Sequence, residues 1–411
     1  MNEMKAKIPP IGSEPDAARY VQVELSPALK EAAAWADIQA ARGAVHVTEG
    51  YFVCRRLRYS SQYRDLPDYS SAITSLCVSP EGQVFGATSG ETAQVFAYDP
   101  RPPFDAVMPV AALEGEAAVR RSLVWEKGRT VICGTRAGAL YRITAPGFGS
   151  DNVQEWGRTP GEVERLGVPV AGEGVAALAI DRLRGRVYGL SDKTGVFFIL
   201  DTASGKVEVR GPVDKYWMFS ENLMISPGGE VLTTGAGGRI VRYDPVTEEL
   251  ASAGEARLAS YPGRGCYSRI DSWTYDAVSG LFYVGDKADG LLETVDPRTL
   301  EVRLLGKPTG NRRIRALAAG LDGRIFGMAG AEGELAQMFV YEPGTGELKN
   351  LGIPLATIEE KRYGFEFEAA ATGPQGQIYF GESEVQSRLF VYFPAHKAAS
   401  NAEGRQEHRQ T

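Results

Sequence analysis

Short apolar runs separated by glycine-containing turns recur along most of this 411-residue chain. In each recurrence an apolar strand leads to a turn with glycine, a second strand ends in glycine, and a third often ends in Asp-Pro. Segments of this kind, bounded by turn residues, predict β-strands. The turns are SPEGQVFG (79–86), EKGRTVICG (126–134), RLRGRVYG (182–189), SPGGEVLTTG (226–235), AVSGLFYVG (277–285), GLDGRIFG (320–327) and GPQGQIYFG (373–381).

These turns are regularly spaced. The seven turn glycines run from Gly82 to Gly376, which is 294 residues over six intervals and a mean of 49. A period of about 50 residues with several short strands per repeat is typical of a β-propeller. The sequence therefore predicts an all-β, seven-bladed β-propeller. The regular period argues against a two-sheet sandwich with a similar number of strands.

The two ends of the chain lie outside the repeats. The chain ends soon after the third strand of repeat seven, so YFVCRRLR (51–58) is the natural donor of that blade's fourth strand. We expect a propeller over 51–394, an extension over 1–50 and a disordered tail over 395–411. Within the extension, SPALKEAAAWADIQAA (26–41) predicts a short helix that begins at Ser26.

Composition and charge narrow the choice of partners. A net charge of −7 disfavours nucleic acid and anionic membrane surfaces. The four cysteines are far apart, so neither a zinc site nor a disulfide framework is expected: Cys54, Cys77, Cys133 and Cys266. The N-terminus has no apolar signal region, and no apolar run approaches membrane-spanning length. We expect a cytoplasmic location.

The connections of a propeller lie on two faces. With strands A to D counted from the axis outward, A–B and C–D turns share one face, which we call the turn face. B–C turns and the crossings from strand D to the next strand A share the other, the crossing face. Because loops on a rigid scaffold usually carry function, we predict a pocket on the crossing face. Six crossings are long and rich in arginine, tyrosine and carboxylates: 59–71, 114–121, 214–222, 260–271, 307–315 and 359–368.

The crossing residues favour an anionic carbohydrate ligand. A guanidinium group can hold a carboxylate by two hydrogen bonds, and aromatic faces offer stacking platforms for sugar rings. For any one arginine, pairing with a crossing acid such as Asp271 or Glu366 is an alternative. The predicted substrate-binding residues are Arg64, Tyr69, Arg121, Tyr216, Trp217, Arg264, Trp273, Arg313 and Arg362.

Arginine and tyrosine together suggest β-elimination from a uronic acid. An arginine neutralises the uronate carboxylate and so acidifies the C5 proton, and a tyrosine or histidine removes that proton. The predicted catalytic residues are Tyr267, Arg269, Tyr363 and His46. The expected activity is that of a lyase that cleaves uronate-containing glycans without a cofactor or metal ion.

The seven-repeat layout, with its arginine and tyrosine crossings on one face, resembles the propeller-fold polysaccharide lyases over roughly residues 51–394. This resemblance lies in the architecture and implies cleavage of uronate-containing glycans. Members such as oligogalacturonate and ulvan lyases rely on histidines for catalysis or metal binding. This chain departs from that pattern, since it has only His46, His396 and His408, which argues against a multi-histidine metal site.

Two other functions remain open. The first is a metal-dependent hydrolase of the lactonase type, because Glu221, Asn222, Asp271, Glu366 and Glu368 supply the hard oxygen ligands of a calcium-like ion. The second is a non-catalytic propeller that binds a carbohydrate or a protein. The repeats lack the GH…WD signature of the WD40 class.

Overall fold

A computed structural model confirms the predicted seven-bladed β-propeller. It describes residues 50–57, 66–101, 106–147, 160–216, 218–356 and 362–395, and all structural statements below concern these residues. Within them, thirty strands form seven sheets arranged around one axis, and the strand pairs are antiparallel except for one short parallel pair in the closing blade. The strands A contact one another around the axis, and each sheet extends outward from there. The helix predicted over 26–41 and the tail over 396–411 lie outside the described residues.

Six blades have four strands each, in the order A, B, C and D. Blade one consists of β2 (Ala72–Val78), β3 (Val84–Ser89), β4 (Ala93–Asp99) and β5 (Ala106–Leu113). Blade two consists of β6 (Leu123–Lys127), β7 (Thr130–Gly134), β8 (Leu140–Thr144) and β9 (Glu162–Gly167). Blade three consists of β10 (Val175–Asp181), β11 (Arg186–Ser191), β12 (Val196–Asp201) and β13 (Val207–Pro212). Blade four consists of β14 (Met224–Ile225), β15 (Val231–Thr234), β16 (Arg239–Asp244) and β17 (Glu249–Arg257). Blade five consists of β18 (Ile270–Asp276), β19 (Leu281–Asp286), β20 (Leu292–Val295) and β21 (Val302–Gly306). Blade six consists of β22 (Ile314–Ala319), β23 (Ile325–Ala329), β24 (Gln337–Glu342) and β25 (Glu347–Gly352).

Blade seven closes the ring and is larger than the others. Its strands A to C are β28 (Phe367–Thr372), β29 (Ile378–Glu382) and β30 (Arg388–Pro394), and its strand D is β1 (Gly50–Arg56). Strand β1 pairs antiparallel with β30 along its full length. The first described strand is thus hydrogen-bonded to the last one, which closes the ring of blades. The crossing from blade six adds β26 (Leu355–Ala356) and β27 (Arg362–Tyr363) outside β1, which covers the edge of that sheet.

The predicted turn glycines are required by backbone geometry. All seven have positive φ, between 50° at Gly128 and 91° at Gly82 and Gly229. Residues with a Cβ rarely adopt this conformation, whereas glycine does so without steric cost. The regular glycine spacing in the sequence therefore marks the A–B turn of every blade.

A second set of glycines accommodates aromatic rings from strand C. In three blades a glycine of strand B lies opposite a phenylalanine of strand C. A Cβ at each glycine would lie 2.0–2.3 Å from the ring, so any other residue would displace that ring. The pairs are Gly86–Phe96, Gly189–Phe198 and Gly327–Phe339.

The hydrophobic core is divided among the blade interfaces. At the closing blade, Phe52 of β1 is 1% exposed. Its ring centroid lies 5.9 Å from that of Phe390 and 4.9 Å from that of Tyr392. The closing strand is thus anchored by aromatic packing as well as by its hydrogen bonds.

We predict that Phe52→Ala lowers the free energy of unfolding by about 3–5 kcal/mol, because it leaves a cavity under the closing strand. Val209→Ala, on the exposed outer strand β13, is the matched control and should change stability by less than about 0.5 kcal/mol. Chemical denaturation followed by tryptophan fluorescence measures both. Equal effects of the two substitutions would show that β1 does not hold the ring closed.

Candidate functional site

The site is built on an irregularity near the start of strand A. In five blades the A–B pairing skips one residue there, as in a β-bulge, and that residue lies at the crossing-face end of the channel. Arg121 and Glu221 hold the corresponding repeat position in blades two and four. We call these seven positions the bulge ring: Thr74, Arg121, Ala176, Glu221, Asp271, Arg315 and Glu368.

Asp271, one member of the bulge ring, pairs with two arginines. Its side chain is completely buried, and both oxygens accept hydrogen bonds from Arg313, at 2.6 Å each. Arg121 Nη2 donates to the same carboxylate at 3.1 Å. Burial alone would raise the pKa of Asp271, but its hydrogen bonds to Arg313 and the charges of Arg121, Arg313 and Lys287 hold the pKa at about 2. Asp271 is therefore ionised at neutral pH.

The Arg121–Asp271 pair spans the channel. Arg121 belongs to blade two and Asp271 to blade five, which lie nearly opposite each other in a seven-bladed ring. Arg315 of blade six completes this layer by pairing with Glu366, at 3.2 Å, and with Glu368. Burial lowers the pKa of Arg315, and the nearby charge of Arg313 adds to that effect. Paired charges thus close the channel at its crossing-face end.

Further cations surround this layer without forming ion pairs within the described residues. Lys287 lies in the field of Asp271, Arg121 and Arg313, and burial lowers its pKa. The pKa of Arg120 is also lowered, first by burial and then by Arg136. The group that interacts electrostatically around Asp271 consists of six cations (Arg120, Arg121, Arg136, Lys287, Arg313 and Arg315) and five carboxylates (Glu221, Asp271, Glu332, Glu366 and Glu368). Its local charge is positive, in contrast to the chain as a whole.

The crossing GRGCYSRID (263–271) is held in place by buried carboxylates of blade five. Glu293 accepts a hydrogen bond from the backbone N–H of Ala259 at 2.8 Å, and Asp289 accepts one from that of Tyr261 at 3.1 Å. Asp286 accepts from the hydroxyl of Ser268 and from the N–H of Arg269. These hydrogen bonds tie the crossing and the residues just before it to blade five.

Three predicted residues lie on this crossing and differ in their surroundings. Tyr267 ends a 3₁₀ turn over Gly265–Tyr267, and its side chain is 62% exposed. Neither Tyr267 nor Arg269 makes a side-chain hydrogen bond within the described part of the chain. Arg264 instead pairs with Asp289 at 2.9 Å and donates to the carbonyl of Ala288 at 2.6 Å. Arg264 is thus committed to holding the crossing.

The other predicted residues are distributed over three environments. Arg121 and Arg313 meet on Asp271. Trp273 lines the channel two residues beyond Asp271. Arg362 and Tyr363 lie in β27, the outermost strand of blade seven, because the crossing into that blade forms a hairpin with β26 rather than running straight to the axis.

Arg362 reaches back from β27 to its own blade. It hydrogen-bonds the buried Glu382 at 2.9 Å and the carbonyl of Gln386 at 2.8 Å. Burial raises the pKa of Glu382 to about 7, and Arg362 acts in the opposite direction. Arg362 therefore anchors the hairpin. His46, Arg64 and Trp217 lie outside the described residues.

The exposed aromatic side chains are concentrated on one face. Tyr69 and Tyr216 are 67% and 65% exposed, and the ammonium group of Lys215 lies 4.9 Å from the ring of Tyr216. Within the described residues, every exposed phenylalanine or tyrosine lies on a crossing: Tyr69, Tyr216, Tyr261, Tyr267, Tyr363 and Phe365. The crossing face thus combines solvent-facing rings with the cations around Asp271.

A cavity lies on the other side of the bulge ring. It occupies the channel, has a volume of about 670 Å³ and is lined by strands A of all seven blades. At its crossing-face end the lining side chains of Arg121, Asp271 and Arg315 are at most 14% exposed. At its other end it is lined by the exposed Arg182, Leu183 and Pro227. The cavity therefore opens on the turn face, whereas sequence analysis placed a pocket on the crossing face.

Three of the five residues predicted as oxygen ligands of a metal ion pair with arginines instead. Asn222 donates its amide N–H groups to the carbonyls of Ile270 and Asp271, both at 3.1 Å. Asp271, Glu366 and Glu368 pair with arginines as described above. In the described ranges no three His, Cys, Asp or Glu side chains come together as a metal site.

Sequence reasoning missed several residues that build the site. Lys287 and Glu293 fall in short turns and strands that carry no motif, and only the fold brings them beside the crossing into blade five. Asp271 was considered as an arginine partner or metal ligand, but its central place could not be deduced from spacing. Two features of the sequence could have indicated the role of Asp271. It lies two residues after Arg269, and it occupies the same position in its repeat as Arg121 and Arg315 do in theirs.

Comparison with known proteins identifies the fold alone. No protein-family model and no curated protein sequence matches this chain. Among solved structures, the extracellular domain of the hybrid two component system BT4673 from B. thetaiotaomicron is similar with a TM-score of 0.56 and 12% identity over 83% of this chain. This chain spans 40% of that structure's length.

Two further similar structures are propellers of comparable length. The β-propeller domain of Cps50 (Swd1) from Myceliophteria thermophila has a TM-score of 0.55 and 14% identity, with 79% of this chain and 96% of that chain covered. U3-55K has a TM-score of 0.54 and 14% identity, with 83% and 98% covered. No helix in the described part of the chain is long and apolar enough to cross a membrane.

We predict that Asp271→Asn lowers the free energy of unfolding by about 3–5 kcal/mol, because it leaves Arg121 and Arg313 without a counter-charge in a buried place. Glu255→Gln, at an exposed position of β17, is the control and should have little effect. Denaturant titration compares the two variants. A loss no larger than that of the control would show that the Asp271 pairs contribute nothing to stability.

The buried side chain of Glu293 should make the stability of the protein depend on pH. Burial raises its pKa from 4.5 to about 8, so the folded protein binds a proton that the unfolded chain releases near pH 4.5. This contribution to stability is complete below pH 4.5 and is lost as the pH rises towards 8. Relative to wild type, Glu293→Gln should therefore become progressively more stable as the pH rises from about 5 to 9.

Thermal unfolding at a series of pH values tests this expectation. Glu164→Gln, whose carboxylate is 61% exposed, provides the control. A constant difference in Tm between wild type and Glu293→Gln at all pH values would disprove a raised pKa at Glu293.

Proposed function

We propose that this chain is a non-catalytic binding propeller that takes an anionic, uronate-bearing sugar chain on its crossing face. The observation that carries the proposal is the arrangement around Asp271. One buried carboxylate holds Arg121 and Arg313 in place, with Lys287 and Arg120 beside them. Asp271 already matches Arg121 and Arg313, which leaves Lys287 and Arg120 beside this fixed framework to receive a carboxylate.

The cations without carboxylate partners supply the charge for this ligand. Lys287 is partly buried and Arg120 is exposed, and the pKa of each is lowered. The charge of Glu221 acts on both, but neither cation forms an ion pair with a described carboxylate, so an incoming carboxylate could pair with them directly. Hydrogen bonds to charged groups contribute about 1.5–3 kcal/mol each.

The exposed rings supply the contact surface. The side chains of Tyr69, Tyr216 and Tyr267 are between 62% and 67% exposed. Rings of this kind offer rigid, amphipathic surface at a low cost in conformational entropy. Their restriction to the face that also carries the cations supports one extended binding surface across several blades.

The geometry supports binding better than β-elimination. A catalytic tyrosine needs a neighbour that lowers its pKa or holds its hydroxyl against the substrate proton. The hydroxyl of Tyr267 has no hydrogen-bond partner among the described residues, and its ring faces solvent. Arg264 and Arg362 are each committed to a buried carboxylate.

The similar solved structures are compatible with a binding role. They include an extracellular domain of a two component system and a mitotic checkpoint complex. At 12% identity they indicate the fold and leave the ligand to be argued from the residues above.

We predict that uronate oligosaccharides bind to wild type and that Lys287→Gln weakens this binding by about 10-fold or more, since a charge-assisted contact is lost. Isothermal titration calorimetry with oligogalacturonate, oligoalginate and a neutral oligosaccharide of the same length measures the effect. The neutral sugar should bind more weakly and should not distinguish the variant from wild type.

Lys206→Gln removes the same charge from an exposed turn on the opposite face and is the matched control. It should leave the affinity unchanged. Absence of uronate binding, or equal effects of the two lysine substitutions, would refute the proposal. A rise in ultraviolet absorbance during incubation with these oligosaccharides would replace it with lyase activity.

A further inference from the structure

The channel below the bulge ring is layered by the period of its strands. Two residues beyond the ring, six of the seven equivalent positions are large and apolar: Leu76, Leu123, Leu178, Leu223, Trp273 and Leu317. The seventh is Ala370. Because a strand rises about 3.3 Å per residue, this apolar level lies about 7 Å along the strands from the charged ring. The level between the two is lined by small or polar side chains, among them Ser75, Asn222 and Ser272.

A second apolar layer lies at the opening on the turn face. Four residues beyond the bulge ring, the lining side chains are half-buried and, except for Thr372 of blade seven, apolar or aromatic: Val78, Trp125, Ile180, Ile225 and Tyr275. The guanidinium group of Arg182 lies 5.0 Å from the ring of Trp125, which orients that ring at the rim. An opening surrounded by partly exposed apolar side chains gains free energy when a ligand covers it.

Trp273 is one of three residues at this level that are only partly buried, together with Leu76 and Ala370. The leucines of blades two, three, four and six are at most 6% exposed. The ring of Trp273 packs edge-on against Phe282, with 5.7 Å between centroids, which fixes its orientation. Its indole N–H makes no hydrogen bond with any described residue. A fixed ring and an available donor therefore line the channel where Ala370 leaves room.

We propose that the channel is a separate binding site, entered from the turn face, for a small uncharged molecule with a flat apolar ring and a hydrogen-bond acceptor oxygen. The ring would occupy the apolar layer against Trp273, and the oxygen would accept from the indole N–H. A volume of about 670 Å³ lies within the usual range of small-molecule sites. This site is independent of the crossing-face function proposed above.

The charge at the end of the channel favours an uncharged ligand. Arg121, Arg313 and Arg315 are matched there by Asp271, Glu366 and Glu368. A charged ligand would lose its hydration without finding an unpaired counter-charge in this layer, whereas a neutral ligand loses little. The two faces of the bulge ring thus select ligands of different chemistry.

The probe for this site is acedan, a neutral naphthalene with a dimethylamino and an acetyl group, whose emission shifts to the blue in an apolar environment. We expect saturable binding of one acedan per chain. Trp273→Phe keeps a ring but removes the N–H, so it should weaken acedan binding by about 5-fold, the effect of one neutral hydrogen bond. Dimethylaminonaphthalene lacks the acetyl group, and its affinity should not change.

Two further variants separate the hydrogen bond from general effects. Trp125→Phe is the matched control, because its indole N–H already donates to the carbonyl of Gly128 at 2.8 Å, and it should not discriminate between the two probes. Ala370→Leu introduces the leucine found at most equivalent positions and narrows the channel at the level of Trp273. It should weaken binding of both probes and leave oligosaccharide binding unchanged.

Three results would overturn the proposal: no saturable binding of acedan to wild type, equal effects of Trp273→Phe on both probes, or undiminished binding in Ala370→Leu. Because Ala370→Leu alters neither Trp273 nor the ion pairs, it tests occupation of the channel even if Trp273→Phe disturbs packing against Phe282.

Discussion

The buried charge of Asp271 constrains the centre of the propeller. An ionised carboxylate without access to water is stable only while its cationic partners stay within hydrogen-bond distance. Those partners come from other blades, Arg121 from blade two and Arg313 from the entry to blade six. Any change in the spacing of these blades would leave a buried charge without a partner. The closure of the channel, the position of the neighbouring cations and the depth of the cavity all follow from this requirement.

The same constraint separates two chemical environments along one axis. Above the bulge ring, cations and exposed aromatic rings face solvent on the crossings. Below it, leucines and Trp273 line the channel down to an opening of half-buried apolar side chains. This separation needs no additional domain, because successive levels of the strands A carry different side chains along the axis. A single ring of short strands therefore presents two chemically different surfaces at its two ends.

The repeats predicted the fold because each blade uses the same local geometry. A glycine with positive φ marks every A–B turn, from Gly82 to Gly376, and such positions are visible in the sequence without any knowledge of contacts. The site was less predictable, because its partners are distant in the chain. Arg121 and Asp271 are 150 residues apart, and Glu293 meets Ala259 only after the blade has folded. The hairpin of β26 and β27 was also missed, since two-residue strands leave no periodic pattern, and it moved Arg362 and Tyr363 to the outer edge.

The variation among the repeats indicates which positions are free of the demands of the fold. Two residues beyond the bulge ring, leucine recurs in five blades, because that position packs between neighbouring blades everywhere. At the bulge ring itself the residues are threonine, alanine, two arginines, aspartate and two glutamates. A bulge residue leaves the ladder, so the scaffold does not dictate its side chain. Replacing buried ion pairs by apolar residues is often neutral or stabilising, so stability alone does not account for charges at these positions. Charges at positions that the fold leaves free are the expected signature of a binding role, which is the basis of the function proposed above.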